Sequence, residues 1–358
     1  MRETLWRQRA AFLALALCLI LLAVSVPTRA ESQILLCGED HTDAACMERE
    51  LSLWRARYAA GDRDLFLEMG AATAELLNRW MRTGNESFWE LVYRNWEGTA
   101  SQTPERERFF RTIRAACPET VFHGIDVEHQ YKTTGAFCLA LLEKEGRQGS
   151  EACRKALRSV EQAQRFYEGW DGDLLSRDNA YREDTLAENF RREYESLGRK
   201  RVMGIFGAAH TDPCGPDFYT GTTPSMAAQL RARCGGAVAC RDLRGEDLPE
   251  RTTLTIAGTE YRAVYYGEYP IRNMGLLRSG AFWRLTDAYE TFSRWEGSGD
   301  NLPGNEYPMA VRSGEAYAIH YRCWDGTDFW WYGVCEGVRR ENGFLNTAEV
   351  IPPEEETP

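Results

Sequence analysis

Two histidines occupy the same place in two copies of one short pattern. Gly38-Glu39-Asp40-His41-Thr42-Asp43 follows the apolar run Ile34-Leu35-Leu36-Cys37, and Gly207-Ala208-Ala209-His210-Thr211-Asp212 follows Val202-Met203-Gly204-Ile205-Phe206. Carboxylates close two further strand-like runs, Glu68 near the end of residues 64–70 and Asp126 at the end of 120–126. Imidazoles with carboxylates at hand support two chemistries. They can bind a divalent metal that activates water, or they can act directly as a general base and its orienting acid. No Gly-x-Ser-x-Gly elbow and no glycine-rich phosphate loop occurs, so neither covalent serine catalysis nor phosphate cradling is signalled. Arg182 and Glu183 lie on a helical stretch that leads into the second pattern; an arginine there is usually a solvated or salt-bridged surface residue, and only on a helix lying across the crevice does its fork meet an anionic group or a developing oxyanion. The candidate site is therefore Glu39, His41, Glu68, Asp126, Arg182, Glu183 and His210.

These residues can meet only if the strands that carry them are parallel. In an open parallel sheet the loops at the carboxyl ends of the strands line the ligand crevice, so both histidines would reach one rim. The pattern between the strands agrees. Met47, Leu51, Trp54 and Tyr58 recur at helical spacing, residues 71–82 and 86–96 are helix-like, and Thr103-Pro104 opens another helix through Phe109, Phe110 and Ile113. Residues 134–145 and 150–167 read as a helical hairpin, 176–190 as a longer helix, and 225–234 with 237–242 as a last helix and strand. Strands alternating with helices over residues 31–245 predict a mostly parallel α/β sheet flanked by helices.

The chain changes character near Glu246. Residues 252–269 alternate as a strand pair around Ala257-Gly258, 279–294 look helical, and 307–335 are rich in aromatics with turn signals at Gly314 and Asp325-Gly326. Residues 246–350 thus read as a smaller, mostly antiparallel β appendage of α+β type, followed by an acidic tail over 351–358. Its aromatics are more often packing than a sugar-binding face.

Residues 1–30 read as a secretory signal or membrane anchor: Arg2, Arg7 and Arg9, an uncharged run over 10–26, then Pro27-Thr28-Arg29-Ala30. The chain is then expected to be extracytoplasmic, secreted or anchored, with membrane contact only through this segment. Its removal takes away a net three positive charges and moves the formal charge from −11 to −14. Nucleic acid is accordingly a poor partner, and a small molecule or peptide a better one. Ten cysteines remain of eleven once Cys18 is removed. An even number in an exported chain favours disulfides; Cys323 with Cys335, Cys138 with Cys153, and pairs among Cys214, Cys234 and Cys240 are the natural candidates.

In their order, these motifs resemble the erythromycin-esterase-like and ChaN-like superfamily, with TraB/TIKI-type proteins more distant. Gly38-Glu39-Asp40-His41 resembles its first Gly-Glu-x-His motif, Leu67-Glu68-Met69-Gly70 its second-strand glutamate, and Gly124-Ile125-Asp126 its Gly-(Ile/Phe)-Asp strand end. Arg182-Glu183 through Ala187-Glu188-Asn189 is similar to its Arg-Asp-x-x-Met-Ala-x-Asn helix, and Gly207-Ala208-Ala209-His210 to its later histidine motif. The resemblance spans about residues 33–242 and implies an α/β hydrolase-like domain. On its enzyme branches it implies hydrolysis by activated water, of esters in one and metal-dependent of peptides in another; on the ChaN-like branch it implies haem binding. The first motif is one residue shorter than the esterases' Gly-Glu-x-x-His and nearer to the Gly-x-x-His of the other branches. The expectation is a secreted or membrane-anchored hydrolase of an ester or peptide, using a divalent metal or no cofactor. Two alternatives are a non-catalytic haem, metal or small-ligand binder of the cell envelope, and an adhesion module working through its appendage.

Overall fold

A computed structural model of the chain describes residues 33–41, 43–171, 178–217, 221–244, 251–271, 276–338 and 345–353. The N-terminal segment read as a signal or anchor, Thr42, the start of the 176–190 helix, the 245/246 boundary and most of the acidic tail lie outside them. Residues Gln33–Pro358 form one compact unit.

Five strands make the first sheet: β1 (Ile34–Glu39), β2 (Asp64–Gly70), β3 (Val121–Asp126), β4 (Val202–Gly207) and β5 (Val238–Asp242), all parallel in the order β3-β2-β4-β1-β5. Between them run α1 (Ala44–Ala59), α2 (Ala71–Thr83), α3 (Glu86–Asn95), α4 (Pro104–Ala116), α5 (Ala136–Lys144), α6 (Glu151–Phe166), α7 (Asn179–Ser196), the single turn α8 (Ala208–Thr211) and α9 (Met226–Cys234). Both faces of the sheet are covered, which is why its central strands read as unbroken apolar runs. On one face Leu67, Met203 and Ile205 pack on Trp54, Trp80, Trp89, Phe109 and Phe110. On the other, Leu36, Phe66 and Phe206 meet Leu186, Phe190 and Met226 of α7 and α9.

The second sheet is antiparallel and has seven strands: β6 (Arg251–Ile256), β7 (Thr259–Pro270), β8 (Leu277–Leu285), β9 (Glu296–Pro303), β10 (Glu315–Cys323), β11 (Asp328–Cys335) and β12 (Asn346–Ile351). The turn signals act as expected: Ala257 and Gly258 both take positive φ (47° and 71°) between β6 and β7, and Asp325-Gly326 turns β10 into β11. The helix expected over 279–294 is instead strand β8, followed by one short helix, α10 (Tyr289–Phe292). Flanked by β7 and β10, β8 buries residues on both faces, among them Ser279, Ala281 and Phe282. A run apolar on both sides carries no alternation to mark it as a strand.

All ten cysteines among the described residues are free thiols. The expected Cys323–Cys335 bridge is ruled out by register. Arg322 pairs with Asp328 at the turn and Glu315 with Cys335 at the far end, so the two sulfurs lie at opposite ends of the hairpin. Among the described residues no helix is long and apolar enough to cross a membrane.

Candidate functional site

Neighbouring strand ends bring the site together. The β1–β4 register sets Glu39 beside Gly207, so the loop carrying His41 and the turn carrying His210 leave the sheet side by side. Glu68 reaches the same place through a bulge. Leu67 pairs with Gly124 but Gly70 with Asp126, which puts one extra residue on β2 and releases Glu68 from the ladder. The bulge needs Gly124, because a Cβ there would sit 2.3 Å from the Gly70 carbonyl oxygen. Gly207 N–H donates to the released Glu68 at Oε2, 2.6 Å away, and a Cβ on Gly207 would crowd His41 Nε2 at 3.1 Å.

Around Glu68 the two imidazoles are mounted alike. His41 bonds Glu39 Oε1 through Nδ1 at 2.9 Å and turns Nε2 to Glu68 Oε2 at 3.6 Å. His210 bonds Glu183 through Nδ1 and turns Nε2 to Glu68 Oε1 at 3.3 Å. Each ring thus has its own orienting carboxylate and shares a third. Glu183 is held in turn by the Met226 N–H at 2.7 Å, at the N-terminus of α9, where a carboxylate is favoured. Glu39, Glu183 and His210 are buried, while the His41 side chain is about 36% exposed and faces the cleft.

Arg182 is where the structure departs from the reading of its residue type. α7 does lie against the crevice, but the guanidinium does not hold its fork out to a ligand. Nε contacts Asp126 Oδ1 at 3.0 Å, and Nη2 bridges Asp126 and Glu68, the latter at 2.7 Å. Asp126 is fully buried beneath it, also accepting from Val127 N–H at 2.7 Å and facing His129 Nε2 at 3.1 Å. Both residues hold the floor of the site and neither stands at its mouth.

Several residues of this network carry no sequence motif. Arg106 Nη2 clasps both oxygens of Glu39 at 3.0 and 3.1 Å, and Nη1 lies 3.8 Å from the buried Glu50. Its signal was position: Arg106, Phe109, Phe110 and Ile113 share one helical stripe, and an arginine on an apolar stripe needs a buried partner. His129, three residues after Asp126, and Arg244, two after the end of β5, also line the site.

The charges follow from these contacts. Burial opposes charge on His210, yet Glu183 and Glu68 hold its proton up to about 10. Burial opposes charge on His41 as well, and Glu68 and Glu39 outweigh it, lifting its pKa well above the imidazole range. Glu68 moves the other way: against burial, His210 and His41 keep it well below the carboxylate range. Arg182 does the same for Asp126, and Arg106 for Glu39. Glu50 is pushed well up by burial and by Glu39 beside it.

A divalent ion would need the imidazole lone pairs and at least one free carboxylate at a common point. Here Glu68 and Asp126 are occupied by Arg182 and backbone N–H donors. Among the described residues no group of three or more His, Cys, Asp or Glu is arranged to hold a metal. The donor set as it stands does not fit one.

No family model matches the sequence, and no curated protein does. Solved structures that align with it include a Bacillus cereus protein (14% identity, 61% of this chain and 67% of that one, TM-score 0.43). A histidine-to-asparagine variant of the erythromycin esterase EreC in its open conformation aligns at 14% identity (62% and 72%, TM-score 0.44), and a succinoglycan biosynthesis protein at 14% (59% and 66%, TM-score 0.40).

Proposed function

We propose that this chain is a hydrolase that cleaves an ester or peptide carbonyl with water activated by imidazole, and that it meets its substrate outside the cytoplasm. One observation carries the reading. Two histidines, each steered by its own carboxylate, turn the second ring nitrogen toward one shared glutamate at the mouth of a cleft.

His41, the more exposed ring, acts as base through Nε2 in the form that has shed its extra proton, with Glu39 fixing the tautomer through Nδ1. Water gives one of its protons to that Nε2 as its oxygen bonds to the carbonyl carbon. The C–O or C–N bond then breaks, and His210 delivers its Nε2 proton to the departing oxygen or nitrogen. Glu68 lies within 3.6 Å of both Nε2 atoms and returns the proton from His41 to His210. One water is consumed and an acid and an alcohol or amine leave.

A broad ester and peptide screen of the purified protein, with its metal content measured in parallel, tests this. His41→Ala and His210→Ala are each expected to lower turnover by about 10²–10⁴. The double variant should be hardly worse than either single one, because the rings act as a unit. Additive losses refute the shared site. Ligand capture without turnover across the screen would favour a binding protein of the cell envelope, and loss of activity on chelation would restore a metal.

A further inference from the structure

Close to the base lies a second carboxyl that the reaction does not use. Glu50, on α1, is fully buried, and neither of its oxygens has a hydrogen-bond partner among the described residues. Arg106 approaches it with Nη1 at 3.8 Å, near enough for attraction and too far for a hydrogen bond. The same guanidinium gives Nη2 to both oxygens of the buried Glu39 at 3.0 and 3.1 Å. Two carboxyls thus flank one cation in the interior, and one of them, Glu39, is the carboxylate that orients His41.

With His41 neutral, as a base must be, two buried carboxylates beside one guanidinium would leave a negative charge uncompensated. Such pairs hold one proton between them. The hydrogen bonds decide where it sits. Glu39 is satisfied as an anion, by Arg106 at both oxygens and by His41 Nδ1 at 2.9 Å. Glu50 receives no donor from the described residues, so it gains a partner by becoming a donor itself, and Glu39 lies within its reach. The charged and titratable groups that face Glu50 are Glu39 on β1, His41 after it, Arg106 on α4, and Cys46 one turn earlier on α1, whose thiol burial keeps protonated. Burial and Glu39 raise the Glu50 pKa well above the carboxylate range, and Arg106 and His41 offset them only in part.

We infer that Glu39 and Glu50 share one proton, held on Glu50 and directed at Glu39, and that this neutral acid is a positioning residue that sets how readily His41 sheds its proton. A donor on Glu39 draws negative charge off the carboxylate that holds His41 Nδ1, which leaves the imidazole less basic. An ionised Glu50 would add charge there and hold the proton back. The role in turnover rests on the hydrolytic reading above, whereas the carboxyl pair and its effect on His41 are properties of the protein without substrate.

Both are therefore read on the full chain alone. Infrared spectra at about pH 8, where ordinary carboxyls are ionised, should show the carbonyl band of a protonated carboxyl that Glu50→Gln removes. The His41 ring is followed by NMR titration, its signal identified by its loss in His41→Ala. Its pKa should be unchanged in Glu50→Gln, which keeps a neutral N–H donor, and raised by about half a unit or more in Glu50→Leu, which has none. The rising limb of kcat/KM should move with it. A spectrum that Glu50→Gln leaves unchanged means that Glu50 is ionised and overturns the pair. A His41 pKa that falls in both variants, the mark of a lost negative charge, overturns it too. A His41 pKa equal in all three proteins overturns the tuning role. Should Glu50→Leu not fold, the band and the Glu50→Gln titration decide. If His41 titrates as expected and no ester or peptide is turned over, the carboxyl pair stands and the hydrolytic reading falls.

Discussion

At the scale of single residues, Arg182 and the two imidazoles carry the sharpest tests. The Arg182 guanidinium joins two carboxylates that would otherwise repel, and lysine, a single point charge, cannot bridge both. Arg182→Lys is expected to lower kcat by about tenfold or more with KM little changed, since the residue holds Glu68 and does not grip substrate. A higher KM at constant kcat would put the fork on the substrate after all. The pH profile follows from the two raised histidines. His41 must lose a proton to act as base, and its pKa lies well above the imidazole range, so kcat/KM should still be climbing above neutral pH. His210 must keep its proton and does so up to about 10, where the falling limb belongs. A profile already flat at pH 6 would remove His41 as base.

Elements decide which of these groups can meet. The β2 bulge lifts Glu68 out of the ladder, and it exists because Gly124 allows the Gly70 carbonyl to approach. Gly124→Ala should therefore cost about 1–3 kcal/mol and lower the melting temperature, with turnover falling in the fraction that stays folded. An unchanged melting curve would mean that the backbone absorbs the methyl group. Beneath the same strands, His123 lies between Asp64 and Glu193, at 2.8 Å from each, and ties β2 and β3 to α7. Burial opposes its charge, yet the two carboxylates raise its pKa above the usual value. The stability it lends is complete below its unfolded pKa and lost as pH rises through the higher folded one.

For the whole molecule, the two sheets belong to one compact unit, and Tyr269 of β7 feels the charges of the loop after β1. Burial, with Asp43 and Asp40 of the loop after β1, pushes the Tyr269 hydroxyl of β7 up to about 12. The thiols give a global test of the fold. Cys37, Cys46, Cys117, Cys138, Cys323 and Cys335 are buried, and burial raises Cys138 to about 12, whereas Cys214 is exposed. A thiol reagent should label Cys214 first in native protein and the buried cysteines only on unfolding. Rapid labelling of Cys323 or Cys335 under native conditions would contradict the second sheet, and ten unreactive sulfurs after unfolding would restore the disulfides.

Local pattern in the sequence carried the parallel α/β sheet, and much of the candidate site was legible at its strand ends. Periodicity and apolar runs are local properties, and strand-Gly-x-x-His written twice at strand ends puts both imidazoles at one rim once the strands are parallel, while the strand order made β1 and β4 neighbours. The sequence also marked the hairpin turns of the second sheet, because Ala257-Gly258 and Asp325-Gly326 act through their own backbones. Only the tertiary structure decided the rest. β8 is a strand because partners flank it on both sides, which no local pattern encodes. Arg106 and His129 joined the site because folding set them against Glu39 and Asp126, and for Arg106 that partner is 67 residues away in the chain. Arg182 looked like a hand held out to an anion and became a brace, since a guanidinium beside the buried Asp126 and the half-buried Glu68 is taken by them before any substrate arrives.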